Sequence, residues 1–288
     1  MRCAFVSAQR DRHGVSRLSR ALRIARSTYY AWQTRPPSAR SVEDAKLLRE
    51  IRRIHQENHR VYGSPRIHEE LVELGYRVGR KRVERLMREE AIRARHFRRY
   101  RHTTQSGHRL PVAPNHLRQQ FQVGNPNAVW ASDITYLWTG EGWVYLAVIM
   151  DLCSRRIVGW SMGHRIEKRL VMAAMRQALH RRAPESGLLH HSDQGSQYAS
   201  NEYQMLLKRH GIRSSMSERG NCYDNAPVES FFASLKRERT SGKYYATREE
   251  ARRDIFDYVE VFYNRRRRHS GLGNISPAEF ERRREECA

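Results

Sequence analysis

Apolar residues recur at helical spacing through the first third of the chain. In residues 14 to 33, GVSRLSRALRIARSTYYAWQ, Val15, Leu18 and Leu22 lead to Tyr29, Tyr30 and Trp32 across a short break, and Ser27 is suited to cap the second helix. That outline is a helix-turn-helix, ended by the Pro-rich hinge TRPPSAR. From Val42, a stripe of Ala45, Leu48, Ile51 and Ile54 predicts another helix. After Gly63-Ser64-Pro65, Ile67, Leu71 and Leu74 predict the next. A third, GRKRVERLMREEAI, turns Val83, Leu86 and Met87 inward. Residues 96 to 127 lose periodicity and fill with the Arg, His, Thr, Gln, Pro and Asn of a basic linker.

The pattern then changes class. VWASDITYLW, WVYLAVIMD and RRIVGWSM are β-branched and aromatic runs separated by TGEG and LCS, which predicts three consecutive strands joined by tight turns. A helix over 167–182, a strand LLHHS, a helix near 199–210 and a strand IRSSMS follow; beyond Gly220 the pattern is helical over 226–240 and 247–264. Antiparallel strands followed by strands alternating with helices describe a mixed five-stranded sheet with helices on its faces. The chain therefore reads as an α+β multidomain protein. Its segments are a helix-turn-helix at 1–35, a second at 41–95, a linker at 96–123, an α/β core at 124–240 and a basic helical extension at 241–288.

Charge adds a partner to this outline. Of the 288 residues, 54 are Lys or Arg and 31 Asp or Glu, a net charge of +23, which attracts phosphate polymers. Residues 1–123 hold +17 of it and 124–288 only +6, so the first half looks like the grip. Arg80, Lys81, Arg82, Arg85 and Arg88 cover the outer faces of the third predicted helix, as in a helix that enters a major groove. A solvated basic face is the plainer alternative. The run Arg265, Arg266, Arg267, Arg268 is expected to touch DNA in the same way, against a solvated helix end. No apolar run approaches a membrane span and the start lacks a signal-peptide core, so a soluble, cytoplasmic protein is expected. The cysteines, Cys3, Cys153, Cys222 and Cys287, form no zinc or disulfide pattern, and His55 and His59 read as solvated helix histidines.

Three acids stand out by position. Asp133 lies within the first predicted strand, Asp193 follows LLHHS, and Glu229 sits among Val228, Phe231, Phe232 and Leu235 in an apolar helical pattern. Carboxylates from three elements can converge at one end of a sheet, where they repel unless cations join them. Hard oxygen donors of this kind suit Mg2+, and two such ions can drive an in-line displacement at phosphorus. Glu229 and Lys236, seven residues apart, return to within about 20° of each other on a helix, so an ammonium stands ready for a phosphate beside the metal. Asp224 or Asn225 is expected to cap this helix, ahead of Pro227. Asp151 and Glu218 read as turn and loop residues. Ser196 and Gln197 are expected near DNA, and Arg219 and Asn221 to position a loop or substrate.

The set WASDITY, HHSDQGSQY, RGNCYDNAPVESFFASLKRE and FYNRRRRHSGL resembles the integrase core of bacterial insertion-sequence transposases. It is most similar to the second-frame (OrfB) protein of the third insertion-sequence family, and the likeness runs from MRCAFVSA through VYGSPRIHEEL to ISPAEF. Thirty-five residues separate Asp193 from Glu229, the D-D-(35)-E spacing, with Lys236 at the basic position seven beyond. The resemblance implies a ribonuclease-H-like core in which Asp133, Asp193 and Glu229 hold two Mg2+ or Mn2+ ions. Water would cut at the element's end, and the freed 3′-hydroxyl would attack another strand, commonly through a circular intermediate. It also implies terminal inverted repeats and target DNA as substrates, an upstream-frame OrfA-type partner or fusion, a homo-oligomer on DNA and a place at the bacterial nucleoid. The competing readings are a helix-turn-helix regulator with an inactive core and a nuclease that cuts without joining.

Overall fold

Helices α1 (Arg2–His13), α2 (Val15–Ala21) and α3 (Arg26–Thr34) open the chain. They bury Val6, Leu18 and Tyr29 against Cys3, Val15, Leu22 and Ile24, and Tyr29 packs edge-on to Tyr30 at 5.3 Å. The computed structural model describes residues 1–95, 110–218 and 222–287. The chain divides into two compact units, 1–53 and 54–288, with the boundary inside α4 (Ala39–Glu57). The helix α1 was not foreseen, because its polar residues dilute the stripe to which Val6 belongs. In α4 the buried stripe is Leu47, Ile51 and Ile54, with Ala45 exposed, a rotation of the expected face.

The second unit continues with α5 (Ser64–Glu73) and α6 (Arg80–Glu89). Pro65 occupies the first turn of α5, where its missing N–H costs no hydrogen bond. Ile67 and Leu71 of α5 are buried, as are Val83, Leu86 and Met87 of α6. Leu74, just past α5, is exposed.

Strands β1 (Val129–Thr139), β2 (Gly142–Asp151) and β3 (Ile157–Gly163) form an antiparallel meander; β4 (Leu189–Ser192) and β5 (Arg213–Met216) extend it in parallel. The order is β3-β2-β1-β4-β5. Trp130, Ala147, Ile149 and Val158 face α7 (Lys168–Arg182), whose buried stripe includes Leu170, Ala174 and Ala178. Tyr198 of α8 (Ser196–Ala199) and Tyr203 and Leu207 of α9 (Asn201–Arg209) complete that layer. The single helix expected near 199–210 is two, because Ser200 is extended, with φ −62° and ψ 140°. Strand alternation sends Leu146, Val148 and Met150, all buried, to the opposite face.

That face is covered by α10 (Ala226–Leu235) and α11 (Arg248–Phe256), each continued by a π-helical stretch, Lys236–Thr240 and Asp257–Tyr263. Phe231 meets Tyr263 edge-on at 4.7 Å, and Tyr258 packs near Phe262 at 5.7 Å. A last helix, α12 (Pro277–Glu286), begins at Ser276, whose hydroxyl accepts from the Glu279 N–H. The Ser-Pro-Ala-Glu stretch was its signal. The C-terminal residues are tied to the sheet and α7: Asn264 both accepts from the Ile157 N–H and donates to its carbonyl, and Glu281 binds Arg156 and Arg182.

Candidate active site

Register brings the first two carboxylates together. The parallel pairing of β1 with β4 ends at Ala131 with His191, so Asp133, two residues on in β1, and Asp193, just past the end of β4, lie at the same end of neighbouring strands. Alternation puts Asp133 on the face opposite Trp130 and Ile134, the face that α10 covers. Glu229 stands in the first turn of α10. Its position among apolar neighbours follows from this: Val228, Phe231, Phe232 and Leu235 are buried and fasten the helix, while Glu229 is half-buried at its edge.

The electrostatics record the convergence. Burial, then the Asp193 carboxylate, then the Glu229 carboxylate push Asp133 up to about 8, against a hydrogen bond from the Ile134 N–H and the charge of Lys236. Among the described residues, no three His, Cys, Asp or Glu side chains close into a metal-ligand cluster; the triad is a neighbourhood of mutually repelling charges. Lys236 lies over the Tyr136 ring, 5.2 Å from its centroid. Burial lowers its ammonium from the ordinary value and Asp133 counters that. Tyr136, one pleat beyond Thr135 on β1, gave no sign of this role in sequence.

The loop after β4 is tightly specified. The Gly195 N–H donates to Asp193 Oδ1 at 3.0 Å, and a Cβ at Gly195 would come within 2.6 Å of Gln197 Oε1 and 2.9 Å of Asp193 Oδ1, so a larger residue there would displace those two side-chain ends. His191 bridges the hydroxyls of Ser215 and Ser217, and burial lowers it to about 4. Ser196 is exposed and Gln197 half-buried at the start of α8, which this loop leads into.

The expected caps of α10 do other work. Asn225 makes no side-chain cap bond and donates instead to the Ser132 carbonyl on β1. Asp224 accepts from Asn115, Gln119 and the Glu218 N–H, tying the linker to the site. The bonds to Ser132, Asn115 and Gln119 each span about a hundred residues, out of reach of local pattern. Asp151 is a turn residue as expected, accepting from the N–H groups of Asn127, Cys153 and Ser154.

The arginine run divides. Arg265 and Arg266 are exposed. Arg267 and Arg268, expected on DNA, are buried: Arg267 forks onto both Glu238 oxygens at 2.7 Å, and Arg268 binds Glu70 at 2.7 Å and also Glu73. Both guanidiniums are consumed inside the fold. The histidines expected in solvent are also drawn in, His55 buried with a bond to the Tyr62 carbonyl, His59 packed on Phe262 at 4.9 Å. On α6, Arg80 and Lys81 are exposed and Arg82 and Arg85 half-buried, with Arg85 paired to Glu89. Arg219 and Asn221 lie outside the described residues.

An integrase core domain model matches residues 124–222 and a second one 229–284, while an HTH-like domain model matches 42–101. The transposase InsF for insertion sequence IS3A of Escherichia coli (strain K12) is 42% identical over 287 residues, 98% of each chain. The insertion element IS600 uncharacterized 31 kDa protein of Shigella sonnei is 46% identical over 265 residues, 92% of this chain and 97% of that protein. Among solved structures, the HTLV-2 integrase catalytic core domain in complex with magnesium aligns with TM-score 0.41 at 15% identity, over 54% of this chain and 96% of that one.

Proposed function

We propose a mechanism from one premise: the chain belongs to the IS3 family of insertion-sequence transposases, enzymes that carry an integrase core and act on DNA. Asp133, Asp193 and Glu229 hold two divalent ions, Mg2+ or Mn2+. The donor set fits, since the Asp193 and Glu229 carboxylates raise the proton affinity of Asp133, a repulsion that a hard dication relieves. When bound, such a pair activates an attacking oxygen and stabilises the leaving one at phosphorus. The side chains supply the rest. Lys236, held over Tyr136 near Asp133, takes a non-bridging phosphate oxygen and orients the scissile group. Ser196 and Gln197 flank the DNA strand from the start of α8. Arg80, Lys81, Arg82 and Arg85 on α6 and the exposed Arg265 and Arg266 grip flanking backbone. Terminal repeats and target DNA are the substrates, with an upstream-frame OrfA-type partner and a homo-oligomer assembling on them at the bacterial nucleoid.

The observation that carries this reading is the placement of Asp133 on β1, Asp193 just past the adjacent β4 and Glu229 in the first turn of α10, near enough that both act on Asp133. Its test is Glu229→Gln with labelled element-end duplexes and Mg2+. Binding stays within about twofold while cleavage and joining both fall by at least about a thousandfold. Near wild-type product from this variant would reject the assignment, and cut ends without joined strands from the wild type would leave a nuclease.

A further inference from the structure

The catalytic helix has a second face. Along α10, Pro227, Ser230 and Ser234, with Arg237 beyond, recur at helical spacing on the side turned away from Glu229 and Lys236, and they wall a cavity of about 450 Å3. Arginines from distant parts of the chain close it: Arg66 at the start of α5, Arg155 in the β2–β3 turn and Arg267. Among the described residues, none of those lining it is Asp or Glu.

The positive charge there is only partly offset. Arg267 is spent on Glu238, which lies behind the wall and reaches Arg66 at 3.8 Å. Half-buried Arg155 donates to the Phe121 carbonyl at 3.1 Å, and its backbone sits at φ 61°, a conformation L side chains seldom adopt. Asp151, the acid of the same turn, is committed to backbone N–H groups. Exposed Arg237 touches the Ser234 hydroxyl at 3.5 Å. His269, also lining the cavity, is held down to about 2 by burial and by Arg267, Arg66 and Arg155.

Guanidiniums gathered in a half-enclosed site repel unless an anion joins them, and their forked donors match phosphate oxygens. We propose that this cavity seats a DNA backbone phosphate other than the one cleaved, so that a bound strand braces the catalytic helix from behind. DNA is favoured over an acidic protein segment by the chain's charge of +23 and by the reaction proposed above, on which the inference rests.

The test needs no catalysis. Binding is measured without divalent ions on a duplex bearing the terminal repeat that flanks this reading frame, with single methylphosphonates walked along each strand. For the wild type, one uncharged linkage away from the cleavage position weakens binding by about tenfold; Arg155→Gln and Arg237→Gln lose that affinity on the unmodified duplex, ignore that linkage, and lower the slope of log K against log salt by about 0.9. Arg155→Lys restores much of both. Arg237 is exposed, so its variant stays informative if the Arg155 variant fails to fold. Variants that keep the full slope and respond to every methylphosphonate overturn the proposal. So does loss of self-association with DNA binding intact, which would give the cavity to an acidic segment of a second copy. Absence of joined product from the wild type in Mg2+ counts against the strand-transfer reading alone.

Discussion

Four consecutive arginines, Arg265 to Arg268, have two fates, and the difference is burial. Removing one partner of a buried, hydrogen-bonded ion pair leaves an uncompensated charge, at about 3–5 kcal/mol. Arg267→Ala should therefore lower stability by that order in urea unfolding, whereas Arg265→Ala should leave the unfolding midpoint in place and weaken duplex binding. No local pattern separates the two, since Glu238, Glu70 and Glu73 reach Arg267 and Arg268 only through the fold. Asp133 yields a second residue-level expectation. In the fold it keeps its proton up to about 8, while the unfolded chain releases it near the ordinary 3.8. The unfolded state thus binds fewer protons between those values, and metal-free stability contributed by this group is lost as pH rises from about 4 to about 8. Asp133→Asn in chelator should unfold at higher urea than its parent near pH 8, with the gap closing near pH 4; a gap independent of pH would mean that Asp133 titrates normally.

At the scale of elements, helix and strand types were readable because each has its own period, and the order of all five strands' appearance followed from it. Their close contacts were not. Gly159 of β3 looks like a weak point in a strand, yet a Cβ there would lie 2.3 Å from the Ala174 carbonyl oxygen and 2.8 Å from Ala178 Cβ. Its absence lets α7 lie directly on the sheet. Gly159→Ala should cost about 1–3 kcal/mol by overpacking, seen as a lower thermal midpoint with the far-UV helix signal retained; an unchanged midpoint would mean that α7 shifts freely. The helices beyond Gly220 were expected as plain α-helices. The π-helical stretches at Lys236–Thr240 and Asp257–Tyr263 aim Glu238 and Tyr258 at one another, with the Tyr258 hydroxyl donating to Glu238 Oε2 at 2.9 Å, an arrangement whose cause lies in the partner and not in either segment.

For the molecule as a whole, burial of basic groups sets the response to acid. His190 is lowered to about 3, His191 to about 4 and His269 to about 2, each chiefly by burial, and His55 and His59 are lowered too. The unfolded chain protonates these near 6.5 and the folded chain does not, so the stability they contribute is present above about 6.5 and lost as pH falls below it. Asp133, with Asp151, acts in the opposite sense, but more groups titrate on the histidine side. Urea midpoints in chelator should fall from about pH 6.5 to about pH 4.5; a flat profile would show the histidines to be open to solvent.

The sequence by itself determined most helix and strand segments, the family, the basic balance that draws DNA, and the proposal of Asp133, Asp193 and Glu229 as a set, because periodicity, spacing and charge are properties of residues in order along the chain. The tertiary structure alone decided which arginines remain for a ligand, that Asn225 fastens β1 without a side-chain cap bond and Asp224 holds the linker, and that Lys236 rests on Tyr136. Each of those depends on which distant group fills a side chain's hydrogen-bonding and charge requirements once water is removed, and only the folded arrangement of the whole chain supplies that partner.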